Sequence, residues 1–324
     1  MTKAIRIHKV GPPSAMKWEN IDLKKPAKGE ARLRHTAVGL NFIDTYQRTG
    51  LYPLDLPAVL GLEGAGVVEA LGRGVTGLKI GDRVAYAGGP SGAYAQERNY
   101  PADRLVKIPK EISDQTAAAM MLKGMTARYL LRDTYRVKKG DTILIHAAAG
   151  GLGLILCQWA NHLGANVIGT VGSKKKADLA KDHGCHHPII YTKQNFVDRV
   201  RRLTKGAGVP VVYDSIGKST FPDSLDCLQN RGLFVSFGNA SGPIPPFAAG
   251  ILAQKGSLFM TRPTLFDYIA TRKELEANAR DLIGVVKKGV VKIAVNQTYA
   301  LKDAAKAHRD LEGRKTTGST VLIP

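Results

Sequence analysis

The residues best suited to chemistry lie in the run Thr142–Gly153, TILIHAAAGGLG, where an apolar segment leads into small residues and then into a helical pattern. Ala147, Gly150 and Gly153 hold the three positions of a dinucleotide-binding fingerprint, with alanine at the first. Small residues let the backbone approach a pyrophosphate, whose charge is stabilised by free N–H groups at a helix N-terminus. An isolated glycine turn would only pack a helix on a strand. Its place at the start of a strand–helix series favours a pyrophosphate site here.

The end of the next strand indicates which nucleotide is bound. An Asp or Glu there would bind the ribose 2′-hydroxyl of NAD, but this chain continues from Val171 into Gly172, Ser173 and the lysines Lys174–Lys176. A hydroxyl and ammonium groups suit a 2′-phosphate. The alternative is that the lysines only solvate a helix start, although cations there oppose the helix macrodipole. We therefore predict NADPH as the cofactor.

A second glycine-rich stretch, Gly61–Gly66 (GLEGAG), resembles the GHEGAG segment of the zinc alcohol dehydrogenases in the medium-chain dehydrogenase/reductase superfamily. Leu62 replaces the metal-binding histidine, and Asn41 stands where a ligand cysteine would be. The four-cysteine lobe that holds a structural zinc is also missing. Because leucine cannot coordinate zinc and asparagine is a poor ligand for it, we predict no metal site and no Lewis-acid activation of an alcohol.

The histidines and cysteines do not supply other metal sites. We interpret His35 and His146 as structural strand residues and the adjacent His186 and His187 as a surface loop. The chain has three cysteines, and they form no CxxC pair: Cys157, Cys185 and Cys227. Reduced thiols and a cytoplasmic location follow from that spacing.

Composition limits the class of protein. The 324 residues, 44% hydrophobic and with 35 glycines, exclude a disordered or collagen-like chain and favour two domains. Thr142–Ser173 carries no Asp, Glu, Lys or Arg, but its glycines and polar residues argue against a membrane span. The net charge of +20 points to acidic partners, either nucleotide phosphates, nucleic acid or an anionic membrane surface, without choosing among them.

The elements that position these residues change character along the chain. Short strand patterns between Gly and Pro predict a mainly β domain of barrel type in the first 110 residues: 4–10, 30–40, 64–71, 82–86 and 105–108. A helix is predicted from Ser113. Alternating strands and helices then predict a parallel sheet covered on both faces, with strands at 142–146, 166–171, 209–214 and 233–238 and helices at 152–163, 175–183, 196–204 and 219–228.

Beyond Arg262 the alternation ends. We predict a helix at 273–288, a strand at 290–295, a short helix at 302–311 and a last strand at 319–323. A lone strand and helix need a sheet to join, so we expect these elements to return to the N-terminal β domain.

The chain resembles the zinc-independent, ζ-crystallin-like quinone oxidoreductases over essentially its whole length. The match is carried by several segments: Gly39–Tyr46, Gly50–Pro53, Lys123–Thr126, Ala147–Gly153, Tyr213–Ser215, Ser236–Asn239 and Arg314–Pro324. The resemblance implies an α/β protein with a discontinuous GroES-like catalytic domain, residues 1–124 and 264–324, and a Rossmann NADPH-binding domain with a doubly wound parallel sheet, residues 125–263. It also implies a homodimer formed through the sheet edge of the cofactor domain.

The same resemblance implies site residues by position. Asn41, Tyr46, Tyr52 and Thr126 would surround the nicotinamide and its ribose. The pyrophosphate would be held by Gly150, Gly151, Leu152 and Gly153. The 2′-phosphate would be surrounded by Gly172, Ser173, Lys176 and Tyr191. The nicotinamide half would be closed by Phe237, Gly238, Asn239, Phe259 and Arg314.

The missing metal shapes the expected mechanism. A quinone is already electrophilic and needs mainly to be stacked against the nicotinamide. We expect Tyr46 and Tyr52 to line its pocket, Asn41 and a tyrosine hydroxyl to polarise its carbonyl, and Tyr52 or water to supply the proton.

The sequence is also compatible with two other functions. Related enzymes of the superfamily reduce enals or enoyl thioesters with NADPH. Some ζ-crystallin relatives bind AU-rich RNA, which the charge of +20 makes worth testing, although no RNA-binding motif is present.

Overall fold

The computed structural model describes all residues from Met1 to Pro324. It contains sixteen strands: β1 (Thr2–Ile7), β2 (Met16–Ile21), β3 (Glu30–Leu40), β4 (Ala58–Val59), β5 (Glu63–Leu71), β6 (Arg83–Ala87), β7 (Glu97–Pro101), β8 (Val106–Lys107), β9 (Thr142–Ile145), β10 (Asn166–Val171), β11 (His187–Ile190), β12 (Val209–Asp214), β13 (Leu228–Ser236), β14 (Phe259–Thr261), β15 (Val295–Ala300) and β16 (Ser319–Ile323). It also contains nine α-helices: α1 (Phe42–Thr49), α2 (Asp114–Tyr129), α3 (Gly151–His162), α4 (Lys174–Asp182), α5 (Phe196–Leu203), α6 (Gly250–Gln254), α7 (Leu265–Tyr268), α8 (Arg272–Lys287) and α9 (Ala304–Glu312).

The chain forms two compact units. The first comprises Met1–Met125, Ile269–Lys287 and Ile293–Pro324, and the second comprises Thr126–Tyr268 and Lys288–Lys292. None of the helices is long and apolar enough to cross a membrane.

The second unit is built on a six-stranded sheet in the order β11-β10-β9-β12-β13-β14. All of its pairings are parallel. Its strands are apolar runs because a parallel sheet is covered on both faces, and Leu144, Ile168, Val212 and Phe234 are fully buried in the resulting core. The predicted α/β fold with a parallel sheet is confirmed.

The first unit contains two mainly antiparallel sheets. One has the order β2-β1-β4, and the other runs β15-β16-β3-β5-β6-β8, with β7 also paired to β3. The C-terminal strand β16 pairs antiparallel with β3, Val321 opposite Gly39. Aromatic and aliphatic side chains from several strands, among them Ile5, Leu33 and Tyr86, fill the core.

Several local predictions were wrong. The helix predicted at 219–228 is only a 3₁₀ turn at Asp223–Cys227, followed directly by β13. Pro222 explains the missing first turn, because a proline disfavours the helical conformation in the residue before it, here Phe221. The strand predicted at 290–295 lies instead at β15, whose register is set by pairing with β16. His187, predicted in a loop, begins β11, and its neighbour His186 accepts a hydrogen bond from Val167 N–H at 2.9 Å.

The sequence pattern also missed whole elements. Helix α1 was not predicted, nor were the strands β2, β7 and β14. By contrast, α2 begins close to the predicted position, at Asp114, directly after Ser113, whose hydroxyl oxygen accepts the Thr116 N–H at 3.1 Å. This is the usual capping arrangement for a serine.

Candidate active site

The turn between β9 and α3 has the geometry of an anion site. Ala147, at the first fingerprint position, adopts a left-handed conformation with φ of 54°, which costs an alanine roughly 1 kcal/mol. Gly150 precedes the helix and donates to the Ala147 carbonyl at 2.9 Å, and no side chain caps the helix. The N–H groups of Gly151, Leu152 and Gly153 have no carbonyl one turn back within the helix. Three backbone donors are thus collected at the positive end of α3.

The backbone of Ala147 and Ala148 passes so close to Gly153 that there is no room for a Cβ at this position. A Cβ on this residue would lie 2.2 Å from the Ala147 oxygen and 2.8 Å from the Ala148 carbonyl carbon. Both are backbone atoms that cannot move aside alone. The glycine therefore lets α3 pack directly against the end of β9.

The end of β10 gathers four of the predicted residues. Ser173 caps α4, and its hydroxyl oxygen accepts the Lys176 N–H at 3.3 Å. Gly172 lies against Tyr191, since a Cβ on the glycine would be 2.9 Å from the tyrosine hydroxyl. Tyr191 is 42% exposed, and the Lys176 side chain is half-buried. The structure thus brings a hydroxyl and a phenol to one end of the sheet, beside the first turn of α4, which contains Lys176.

The neighbouring lysines differ from Lys176. Lys174 is exposed and forms an ion pair with Asp178 one turn along α4, and Lys175 is exposed as well. Lys176 is therefore the least exposed of the three lysines.

The loop after β13 is fixed by backbone contacts. Phe237 N–H donates to the Asp214 carbonyl at 2.8 Å, and a Cβ on Gly238 would lie 2.5 Å from the Ser215 oxygen. Asn239 is half-buried in the same loop. The loop extends from the carboxyl end of the sheet, where ligands bind in open α/β folds.

Phe259 does not join that loop. It begins the edge strand β14 opposite Leu233, three residues before β13 ends at Ser236, or about 10 Å along the strand. It is 61% exposed. Arg262, which the sequence reasoning missed, instead donates to the Ser236 carbonyl at 2.9 Å. No signal in the sequence pointed to it, because the strand that it follows, β14, was not predicted either.

Thr126 and Arg314 lie in different units. Thr126 is a buried residue of α2 and the first residue of the second unit. Arg314 follows α9 in the first unit, with left-handed φ of 56° and an exposed side chain.

A buried polar network lies under the phosphate turn. His146 follows β9 and is hydrogen-bonded to Thr170 Oγ1 at 2.8 Å and Ser224 Oγ at 3.0 Å. Burial lowers the pKa of His146, with Asp214 opposing the shift. Asp214 in turn accepts the N–H of Gly217 at 3.0 Å. His146 is thus a structural residue that holds the ends of β9 and β10.

In the first unit, helix α1 positions the two predicted tyrosines. Tyr46 is a buried residue of α1, and its carbonyl accepts the Tyr52 N–H at 3.1 Å. The two rings meet edge to face with centroids 5.3 Å apart, a favourable aromatic arrangement. The structure therefore brings Tyr46 and Tyr52 together.

Asn41 directly precedes α1 as its N-cap residue and is anchored through its side-chain amide. Its Nδ2 donates to Glu63 Oε2 at 2.8 Å. Glu63, fully buried, also accepts the Leu122 N–H at 2.8 Å. Lys123 lies 3.5 Å from the same carboxylate and donates to the Leu40 carbonyl at 3.1 Å. The sequence reasoning assigned no role to Glu63 or Lys123, although a charged residue within each apolar run was a signal.

The hydrogen bond to Glu63 limits which donors of the Asn41 side chain can reach a substrate. One amide N–H is committed to Glu63, so the second N–H is the donor that remains for a substrate oxygen. Leu62, next to Glu63, is buried. No group of three or more His, Cys, Asp or Glu side chains in the chain is arranged to hold a metal ion.

The chain is similar to known protein families and to individual enzymes. Residues 27–110 match the alcohol dehydrogenase GroES-like domain, and residues 151–283 match the zinc-binding dehydrogenase family. A quinone oxidoreductase from Pseudomonas aeruginosa is 52% identical over 325 residues, covering 100% of both chains. The chain belongs to the quinone oxidoreductases of the medium-chain dehydrogenase/reductase superfamily.

Other relatives refine this family assignment. The structure of Escherichia coli quinone oxidoreductase complexed with NADPH matches with a TM-score of 0.98 and 49% identity, over 99% of this chain and 100% of that one. A 2-haloacrylate reductase from Burkholderia sp is also 49% identical, over 100% of this chain and 99% of its own. The predicted family and the GroES-like and Rossmann fold of this oxidoreductase are confirmed.

Proposed function

We propose that this quinone oxidoreductase reduces quinones with NADPH and without a metal. The observation that carries the proposal is its match over the whole chain to a quinone oxidoreductase complexed with NADPH. The residues of the phosphate turn fit that cofactor, because the helix start has free N–H groups and no side chain in the way.

The second unit supplies most of the proposed cofactor contacts. Gly150, Gly151, Leu152 and Gly153 hold the pyrophosphate, and Gly172, Ser173, Lys176 and Tyr191 bind the 2′-phosphate. Phe237, Gly238 and Asn239, with Thr126 and Arg314, hold the nicotinamide half. We leave Phe259 out of this set because it lies at the other end of its strand. When bound, NADPH supplies the hydride or electrons.

The first unit supplies the proposed quinone contacts. Tyr46 and Tyr52 present an aromatic surface against which a flat ring can stack. The second amide N–H of Asn41 and a tyrosine hydroxyl donate to the quinone oxygen as it gains negative charge. Tyr52 or a water molecule supplies the proton that completes the hydroquinone.

Cofactor preference tests the 2′-phosphate contacts. Lys176→Gln should raise KM for NADPH by about 10- to 100-fold, the effect of losing one charge-assisted hydrogen bond, and leave KM for NADH unchanged. Lys174→Gln is the matched control, since Lys174 is exposed and paired with Asp178. Equal use of NADH and NADPH by the unmodified enzyme would refute the NADPH preference.

Tyrosine and asparagine variants test the quinone contacts. Tyr52→Phe keeps the ring contact with Tyr46 and removes only the hydroxyl, so kcat for quinone reduction should fall by about 10-fold or more. Asn41→Ala should also lower kcat. If both variants turn over quinones as fast as the unmodified enzyme, these assignments are wrong.

Reduction of an activated C=C bond is the second candidate. The 2-haloacrylate reductase that is 49% identical to this chain favours it. A panel of benzoquinones, naphthoquinones, enals and 2-haloacrylates, each with NADPH, separates the two. Turnover of the alkenes without any quinone would replace our proposal with this one.

Three further expectations concern the setting of the enzyme. We propose a homodimer through the edge strand β14, whose Phe259 is exposed. Analytical ultracentrifugation of a Phe259→Glu variant tests it.

We propose a cytoplasmic location because all three cysteines are free and buried. Binding of AU-rich RNA stays a prediction, and binding that NADPH abolishes would support a shared basic surface.

A further inference from the structure

A fully buried acid lies directly behind Asn41. Asp44 is the third residue of α1 and has no exposed surface. Its Oδ2 accepts the Asn41 backbone N–H at 2.9 Å and the Tyr94 hydroxyl at 2.9 Å. Its Oδ1 is buried with no hydrogen-bond partner. The carboxyl group therefore caps α1 and ties it to Tyr94.

The hydrogen bonds leading to this acid have a fixed direction. Arg48 Nη1 lies 3.4 Å from His308 Nδ1, and because a guanidinium only donates, Nδ1 must be the acceptor. A neutral imidazole then carries its proton on Nε2, which lies 3.0 Å from the Tyr94 hydroxyl. The hydroxyl in turn donates a hydrogen bond to Asp44. This series of hydrogen bonds therefore runs in one direction, from Arg48 through His308 and Tyr94 to Asp44.

Arg48, at the start of this series of hydrogen bonds, is held by an ion pair. Arg48 is 1% exposed and binds both carboxylate oxygens of Glu312, at 3.0 and 2.7 Å. Its Nε also donates to the Gly11 carbonyl at 3.1 Å. Burial and, to a smaller extent, the Arg48 charge together lower the pKa of His308 to about 3, so the imidazole remains neutral as the direction requires.

The ionisation of the acid is finely balanced by its surroundings. Burial raises the pKa of Asp44 to about 7, and Glu63 acts in the same sense. The Asn41 N–H, the Tyr94 hydroxyl and the Lys123 ammonium oppose this shift. The groups that act on Asp44 thus come from the start of α1, from β5, from α2 and from the segment that contains Tyr94. Arg48 of α1 and His308 of α9 connect to Asp44 through the Tyr94 hydroxyl.

We propose that Asp44 is a positioning residue for the proposed quinone reduction. Its ionised carboxylate accepts the last hydrogen bond of the series that starts at Arg48, and it fixes the backbone of Asn41, whose side chain reaches the substrate. This inference rests on the function proposed above. Glu63 fixes the Asn41 side chain and Asp44 fixes its backbone. A protonated Asp44 is a weaker acceptor, so Asn41 is held less firmly at low pH.

The first test is the pH profile of kcat for quinone reduction. The unmodified enzyme should lose activity below about pH 7. Asp44→Asn should lower kcat about 10-fold at pH 8, with KM for NADPH unchanged. It should also abolish the fall in activity toward low pH, the acidic limb of the profile. Asp44→Glu should restore part of the activity. Tyr94→Phe should move the limb upward by about one pH unit, because one donor to the carboxylate is lost.

The matched control is a second helix-capping acid. Glu274 accepts the Thr271 N–H at 2.9 Å at the start of α8 but is exposed. Glu274→Gln should leave the pH limb where it is. A limb that persists in Asp44→Asn, or that shifts equally in Glu274→Gln, would overturn the proposal.

A second measurement does not depend on turnover. The side-chain amide resonance of Asn41, observed by NMR after ¹⁵N-asparagine labelling, should titrate near pH 7 in the unmodified protein and in Glu274→Gln. It should stop titrating in Asp44→Asn, and in Tyr94→Phe it should titrate at higher pH. An amide signal that does not titrate refutes the positioning role, whereas a titrating signal in an enzyme that reduces no quinone refutes the proposed function instead.

Discussion

Replacing Gly153 by alanine tests how the phosphate turn is built. The added Cβ would lie 2.2 Å from the Ala147 oxygen, where ordinary contact begins at 3.4 Å. Helix α3 must therefore retreat from the end of β9 by about 1 Å, since both contacting groups are backbone. The strain of such overpacking is roughly 1 to 3 kcal/mol.

The same displacement should weaken cofactor binding. The N–H groups of Gly151, Leu152 and Gly153 move with the helix, and a shift of about 1 Å takes a hydrogen bond beyond its useful length. Losing one charge-assisted bond to phosphate costs roughly 1.5 to 3 kcal/mol, which is about a 10- to 100-fold rise in Kd for NADPH.

Calorimetric titration with NADPH and urea unfolding of the same sample provide the two measurements. Gly284→Ala is the matched control, because nothing lies within 4 Å of its added Cβ in the helical interior of α8. It should stabilise the protein by up to about 1 kcal/mol and leave NADPH binding unchanged. If Gly153→Ala binds NADPH within twofold of the unmodified protein and unfolds at the same urea concentration, the close approach of α3 to β9 does not control cofactor binding.

Two further predictions concern stability and reactivity. Because burial raises the pKa of Asp44 from 3.8 to about 7, the folded protein binds more protons than the unfolded chain between these values. The contribution of Asp44 to the free energy of unfolding should therefore fall by about 4 kcal/mol as pH rises from 4 to 7. In urea unfolding at pH 5 and pH 8, Asp44→Asn should lack this dependence of the unfolding free energy on pH. An equal slope in both proteins would contradict the assignment. All three thiols are buried, and burial raises the pKa of Cys227 to about 12. A thiol reagent should titrate none of Cys157, Cys185 and Cys227 in the folded protein and all three after unfolding, and rapid reaction of the folded protein would contradict the burial.

The chemistry of the phosphate turn could be predicted because its signal is local. A strand, small residues and a helix start follow one another between Thr142 and Gly153, and the physical requirement acts over the same few residues. The strands at 166–171, 209–214 and 319–323 were predicted with the bounds that the structure has, since each is an apolar run that forms a buried strand.

Helix α1 could not be predicted from its pattern. It has only eight residues, several of them polar, and such a short segment is not helical by propensity alone. Its buried face, with Asp44 and Arg48, is stabilised by Tyr94, His308 and Glu312, which are distant in the sequence. The helix exists because of those tertiary contacts.

The sequence alone determined the family, the alternation of strands and helices, and the residue types that suit a dinucleotide phosphate. These follow from spacing, side-chain size and charge within short segments. The tertiary structure decided that Glu63 and Lys123 anchor Asn41, that Arg262 rather than Phe259 lies beside the loop after β13, and that a directed chain ends on Asp44. A buried charge is tolerated only where its partners meet it in space, and no local pattern specifies which distant residues those will be.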